Sequence, residues 1–291
     1  MVPLLKAKLF VIAGAFLFST GGVAIKLATL TGWQISCLRS LVAGLTLLLV
    51  LPWLRTTWTW RSLVVAIPYA ATFTLFTLST KLTTAANAIF LQDTAPLYIL
   101  LLGPLLLRER IRSADLAFMA ALVIGLGFIF TAHTEPSRNA ADPQLGNLLA
   151  ACSGFSWALS VLGLRWLAVR SAGQPEKAIS AVMVGCLFAS LFGALFAFPF
   201  EELTVGNWLI IIYLGAVQIA LAYLLITAGI RHISALEASL LLLVEPVLAP
   251  LWVWLFIAES PGWMALLGGA LIVMATIAYT RRSQDGVADR V

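Results

Sequence analysis

The chain has 291 residues, of which 61% are hydrophobic and only 11% charged, with a mean hydropathy of +1.00. A soluble chain carries roughly 45–50% apolar and about 25% charged residues, so this one lacks the polar surface to cover itself in water, and lipid is its solvent over most of its length. The net charge of +5 comes from 18 basic and 13 acidic residues, and the basic ones lie between apolar runs, where they read as topology signals rather than as a nucleic-acid surface.

A membrane-spanning helix needs about 20 mostly apolar residues. Ten such runs follow one another: 9–28, 35–52, 62–81, 84–107, 115–132, 146–168, 177–199, 207–230, 234–257 and 262–280. The first has the basic start of a signal peptide, Lys6 and Lys8, but it is long and reaches Lys26 without an A-x-A site, so it reads as a span. The fold expected is an all-α membrane protein. The longest connection, 133–145, holds "HTEPSRNAADPQ" and divides the chain into two halves. These are 1–134, with spans 1–5, and 146–281, with spans 6–10, joined by 135–145. The tail, 282–291, is polar and reads as disordered. The cysteines, Cys37, Cys152 and Cys186, are scattered and read as core residues. The two histidines, His133 and His232, have no metal-ligand spacing, and no metal or other cofactor is expected.

With the N-terminus inside, only Lys26, Arg39, Lys81 and Arg138 of the 18 basic residues fall on the outer side, which places both termini in the cytoplasm. Arg108, Arg110 and Arg112 then form an inner-face anchor, while Lys26 and Arg39 lie near outer span ends, where snorkelling to the headgroups is the cheaper reading and an outer gate the alternative. Trp53, Trp58 and Trp60 cluster at an inner edge, and Trp33, Trp208 and Trp263 sit at outer edges.

The halves resemble each other. Sliding 62–109 onto 212–259, an offset of 150, matches Thr77 with Thr227, Pro96 with Pro246 and Glu109 with Glu259, and sets Lys81 opposite Arg231. A second match, at offset 139, brings Phe18 onto Trp157. Five spans per half is odd, so the second half is threaded in the opposite sense: two inverted five-helix repeats around a central cavity. Such repeats suit alternating access, because two near-equivalent halves can exchange conformations about a site between them.

Several segments carry a resemblance to a known family. "FSTGGVAIK" (18–26), "LRSLVAGLTLLL" (38–49), "LLLRER" (105–110) and "VEPVLAPLWVWLFIAES" (244–260) are similar to the drug/metabolite transporter superfamily, EamA type. Within it the chain looks most like the YddG-type exporters of aromatic and other amino acids. The resemblance implies a basket-like bundle with a cavity lined by spans 1, 3, 4, 6, 8 and 9. It also implies an inner-membrane exporter of small metabolites; other branches carry nucleotide sugars and sugar phosphates.

Candidate substrate contacts are the non-aliphatic residues at mid-span. Phe18 with Trp157, and Phe73 with Tyr223, are aromatic pairs at equivalent depth, able to wall a ring or apolar side chain or simply to pack the core. Ser19 lies beside Phe18. Span 3 carries several threonines, Thr77 among them, most of which bond back to their own helix. Asn87 and Gln218 are candidates for an α-amino or α-carboxylate group. Asp93 and Glu245 are the costly residues, since a carboxylate in mid-bilayer must face a cavity, find a partner or take up a proton. Asp93 is assigned the substrate ammonium or a coupling proton, and Glu245 either substrate or a structural hydrogen bond. Pro96 and Pro246 kink their spans and are candidate hinges. Gly14, Gly21, Gly22, Gly154, Gly268 and Gly269 permit close helix packing.

No phosphate-cradling loop or catalytic motif occurs, so an ATP motor, an obligate ATPase subunit and enzyme activity are not expected. An intramembrane enzyme would need clustered acid, base and nucleophile groups. A channel would show no counterflow, and a scaffold no flux. The expected partners are the bilayer and a small-molecule substrate, an amino acid or a similar metabolite.

Overall fold

The structure, a computed structural model, describes residues 4–55, 57–106, 113–131, 140–170, 176–200, 203–230, 241–242, 244–258 and 262–288. The first span is two helices, α1 (Leu4–Ser19) and α2 (Gly21–Leu27), meeting at Thr20. Next comes α3 (Gly32–Val50), opened by a capping box in which Thr31 Oγ1 accepts from the Gln34 N–H and Gln34 Oε1 accepts from the Thr31 N–H. The threonine cap recurs without the reciprocal glutamine bond. Thr59 caps α4 (Trp60–Leu82), and Thr84 caps α5 (Ala85–Gln92). A threonine accepts a backbone N–H that lipid would leave orphaned, which is why helix starts fall at these residues.

After α5 the chain turns at Asp93 and Thr94 and restarts as α6 (Ala95–Leu106). Proline at position 96 explains the restart: it has no N–H to bond the Gln92 carbonyl and disfavours helical geometry at Ala95. Then follow α7 (Ser113–Thr131), α8 (Pro143–Arg170) and α9 (Glu176–Ala197). The eighth apolar run starts as α10 (Val205–Ile212), capped by Thr204, widens into a π-helical stretch over Tyr213–Leu221, and ends as α11 (Ala222–Ile230). The last helices are α12 (Val244–Ile257) and α13 (Trp263–Ala288).

Among the described residues, six helical stretches are long and apolar enough to cross a membrane: Leu4–Leu27, Gly32–Val50, Trp60–Leu82, Pro143–Leu164, Lys177–Ala197 and Val205–Gly229. Shorter apolar stretches occupy the fifth, ninth and tenth runs, and the fourth is divided at Asp93–Thr94. Helix α13 runs on to Ala288, so the sequence's disordered tail is helical over that stretch. Arg108, Glu109, Arg110, Arg112, His133, Arg138, Arg231, His232 and Glu259 lie outside the described residues.

Helix α4 lies along α8 and α9, α3 along α9 and the π-helical stretch, α1 along α11 and α12, and α7 along α13. One buried apolar cluster joins Leu47 of α3 and Tyr69 of α4 to Met183 of α9 and Ile219. A second joins Phe90 of α5 and Leu122 of α7 to Ala150 of α8 and Ile272 of α13. Outward-facing positions are just as apolar: Leu191 is 70% exposed, Leu195 72% and Val205 76%. Side chains of that size left uncovered over whole helix faces fit a lipid surround.

Candidate functional site

Three local features bring polar side chains into the bundle interior. The break between α5 and α6 places Asp93 at the C-terminal cap of α5, with its N–H bonded to the Ile89 carbonyl. The π-helical stretch carries Gln218; its wider turn offsets the faces of the residues that follow, and such segments recur at functional sites. Arg39 sits well inside α3 and is fully buried.

These features meet at a cavity of about 70 Å³, room for a few waters. Its lining includes Phe18, Phe73, Asp93, Trp157, Gln218, Tyr223 and Glu245, all singled out by the sequence. Phe18 meets Tyr223 edge-on with ring centroids 5.3 Å apart, and Tyr223 lies 6.4 Å from Phe73. Asp93 Oδ2 and Gln218 Oε1 are buried without a hydrogen-bond partner.

Arg39 also lines the cavity, against the expectation that it snorkels to the headgroups. One terminal nitrogen donates to the Phe73 carbonyl at 2.8 Å, the guanidinium lies 5.4 Å from the Phe73 ring centre, and Nε has no partner. The missed signal was Thr31–Gln34: as a capping box it starts the helix at Gly32, which sets Arg39 roughly 10 Å along the helix rather than at its rim. Thr72, Phe76 and Gln92 complete the lining.

The other candidates lie apart from that lining. Ser19 donates to the Phe16 carbonyl and accepts from the Trp252 indole. Thr77 donates to the Phe73 carbonyl, satisfied within its own helix. The Asn87 amide nitrogen donates to Asn147. Proline 96 lies one residue into α6, just past the break, and Pro246 is buried in α12.

Gly154 of α8 faces the same break. A Cβ there would lie 2.9 Å from the Gln92 and Leu91 carbonyl oxygens, so only glycine allows this approach. Ser153 next to it donates to the Thr72 carbonyl and to Gln92 Oε1.

At one end of the bundle, polar ties join the helix ends to one another. Lys26 Nζ donates to the Thr83 carbonyl at 2.7 Å, and Lys81 Nζ to the Ala28 carbonyl. Asn207 is doubly bonded to Thr29, accepting from its N–H and donating to its hydroxyl. Thr83 donates to Asn147, and Gln34 donates to the Ala197 carbonyl. Lys26 is thus tied to the protein rather than reaching for headgroups.

Two larger clefts, about 510 and 620 Å³, run along the outside of α4. Residues such as Ile67, 61% exposed, and Leu191 line them, and their walls are almost wholly apolar.

The model of the EamA-like transporter family matches the chain twice, over residues 5–131 and 144–281. An uncharacterized transporter of Archaeoglobus fulgidus is 27% identical over 195 residues, 67% of each chain. The pseudopaline exporter CntI of Pseudomonas aeruginosa is 28% identical over 197 residues, 67% of this chain and 66% of that protein. The uncharacterized transporter YxxF of Bacillus subtilis is 24% identical over 213 residues, 71% and 65% respectively. The chain spans about two thirds of the length of these relatives. A solved crystal structure matches at a TM-score of 0.64 and 22% identity over 95% of this chain and 98% of that one, a likeness of fold alone.

Proposed function

Because the chain belongs to the EamA-like transporter family, we propose that it exports small amino-acid-like metabolites across the inner membrane by alternating access. The observation that carries this reading is the cavity itself. Two carboxyl side chains, a guanidinium and two carboxamides converge in one cavity, beside aromatic rings and among buried polar atoms without partners. In lipid such groups are retained where a solute completes them.

The ten spans divide into two inverted repeats, 1–134 and 146–281. The family model matches once in each half, and the helix pairing supports an internal two-fold. Exchanging spans 1–5 for 6–10 turns the α4–α8 pairing, spans 3 and 6, into the α1–α11 pairing, spans 8 and 1. The α3–α9 pairing, spans 2 and 7, and the α7–α13 pairing, spans 5 and 10, map onto themselves. A cavity on such an axis opens to one face when the halves part there and to the other when they part opposite.

With both termini cytoplasmic, the tied end is the outer one, and the ties from Asn207 to Thr29 and from Thr83 to Asn147 cross between halves. A cavity of about 70 Å³ is too small for an amino acid with an aromatic side chain, so loading requires the halves to move apart. The break before Pro96 and the turn of α12 at Pro246 are the hinges for this movement, because a prolyl residue leaves the preceding turn without its hydrogen bond. Asp93 and Glu245 take the ammonium or a coupling proton, and the Phe18, Phe73, Trp157 and Tyr223 rings take the side chain. The exporter named among the relatives supports the outward direction.

The test is uptake of labelled threonine, methionine and tryptophan into proteoliposomes, with and without a pH gradient. Saturable flux of any of them, with counterflow, is expected. Sugar-phosphate flux in their place would move the chain to another branch of substrates, and no flux at all would refute a carrier.

A further inference from the structure

Around the cavity one guanidinium, Arg39, shares the space with two carboxyl groups, Asp93 and Glu245. Arg39 is held on one side only. Its Nη2 bonds the Phe73 carbonyl and its plane rests near the Phe73 ring, whereas Nε is buried and unpartnered. Asp93 Oδ2 and Gln218 Oε1 are acceptors buried in the same condition. A buried donor and a buried acceptor left unmade are each unfavourable, and both are completed together by a ligand that carries one charge of each sign.

We infer that Arg39 is the carboxylate anchor of the cavity, so that a zwitterionic substrate is held at both of its charges. The substrate carboxylate docks on Arg39 Nε and its ammonium on Asp93 Oδ2 and Gln218 Oε1. This rests on the transport reading above and narrows it. A phosphate ester would bring its negative charge beside two carboxyls with a single guanidinium to offset it, a like-charge juxtaposition that discriminates against it. A simple cation would leave the buried Arg39 Nε–H without an acceptor. Arginine suits the carboxylate role because its fork stays charged and rigid, and the Phe73 carbonyl fixes which edge faces the cavity.

The test measures competition against flux of whichever labelled amino acid moves among threonine, methionine and tryptophan. The competitors are that amino acid, its amide (no carboxylate), its N-acetyl form (no ammonium) and glucose 6-phosphate. For the wild type, the free amino acid should compete at least about ten-fold better than the amide or the N-acetyl form, the effect of one lost charge-assisted hydrogen bond. Glucose 6-phosphate should not compete. Arg39→Gln should bring the amide to parity while still rejecting the N-acetyl form, and Asp93→Asn should do the reverse. Arg39→Lys keeps the charge but not the fork and should restore rejection of the amide in part; it reads the same ratio if Arg39→Gln does not fold. Competition ratios unchanged in folded Arg39 variants overturn the anchor and leave the transporter reading standing. Absence of amino-acid flux in the wild type overturns both.

Discussion

Gly154→Ala perturbs the site without touching a charged group. The added methyl would sit 2.9 Å from two carbonyl oxygens and 3.3 Å from the Gln92 Cα, all of them backbone atoms that cannot rotate away. Contact distances for such atoms are about 3.5 Å, so α8 and the α5–α6 break must separate by roughly half an ångström. Overpacking of this kind costs about 1–3 kcal/mol. Gly127→Ala in α7 is the matched control, because a Cβ there meets nothing within 4 Å. Both variants exchange glycine for alanine inside a helix, so the helix-propensity gain of roughly 0.5–1 kcal/mol cancels between them. The difference that remains, about 1–3 kcal/mol, is the cost of crowding the break. The thermal unfolding midpoint in detergent should therefore fall for Gly154→Ala relative to Gly127→Ala. Proteoliposome flux should fall with it, because Asp93 caps the helix that is displaced. Equal midpoints and equal fluxes in the two variants would show that the close approach is not what holds Asp93 in place.

Trp157→Ala should impair flux far more than Trp60→Ala, since Trp157 lines the cavity while Trp60 is 64% exposed on the outside of the bundle; equal losses would count against the cavity as the site. Asp93→Asn should alter flux and its response to a pH gradient, and transport unchanged at every pH would remove Asp93 from the mechanism. Asn207→Ala deletes both bonds to Thr29 and should lower the unfolding midpoint by the equivalent of about 1–3 kcal/mol, and an unshifted midpoint would mean that this tie does not close the tied end.

The apolar runs announce the long spans, because a helix in lipid must be apolar for about 20 residues and the chain has no other way to satisfy its backbone there. The aromatic residues at mid-span and the two intramembrane carboxyls were visible for a related reason: each is expensive or conspicuous where it stands. Arg39 was misread because its place on the helix depends on where the helix starts, and a capping threonine shifts that start by several residues. Asn87 and Thr77 looked available by composition, yet Thr77 bonds the Phe73 carbonyl and the Asn87 amide nitrogen bonds Asn147, which leaves only the buried Asn87 Oδ1 without a partner. Which polar atoms are satisfied is a property of neighbours, and the neighbours of Asn87 lie far away in sequence.

By itself the sequence determined the lipid solvent, the six long apolar helices and the likeness of two segments that each match the family model, since these follow from hydropathy and pattern along one chain. Only the tertiary structure decided which polar groups share a cavity. The break at Asp93, the π-helical turn carrying Gln218 and the glycine approach at Gly154 each rotate or draw in side chains by a few ångströms, and hydropathy carries no information at that scale. Burial of Arg39 beside two carboxyl groups is the outcome, a charge pattern set by how helices from both halves cross rather than by any run of residues.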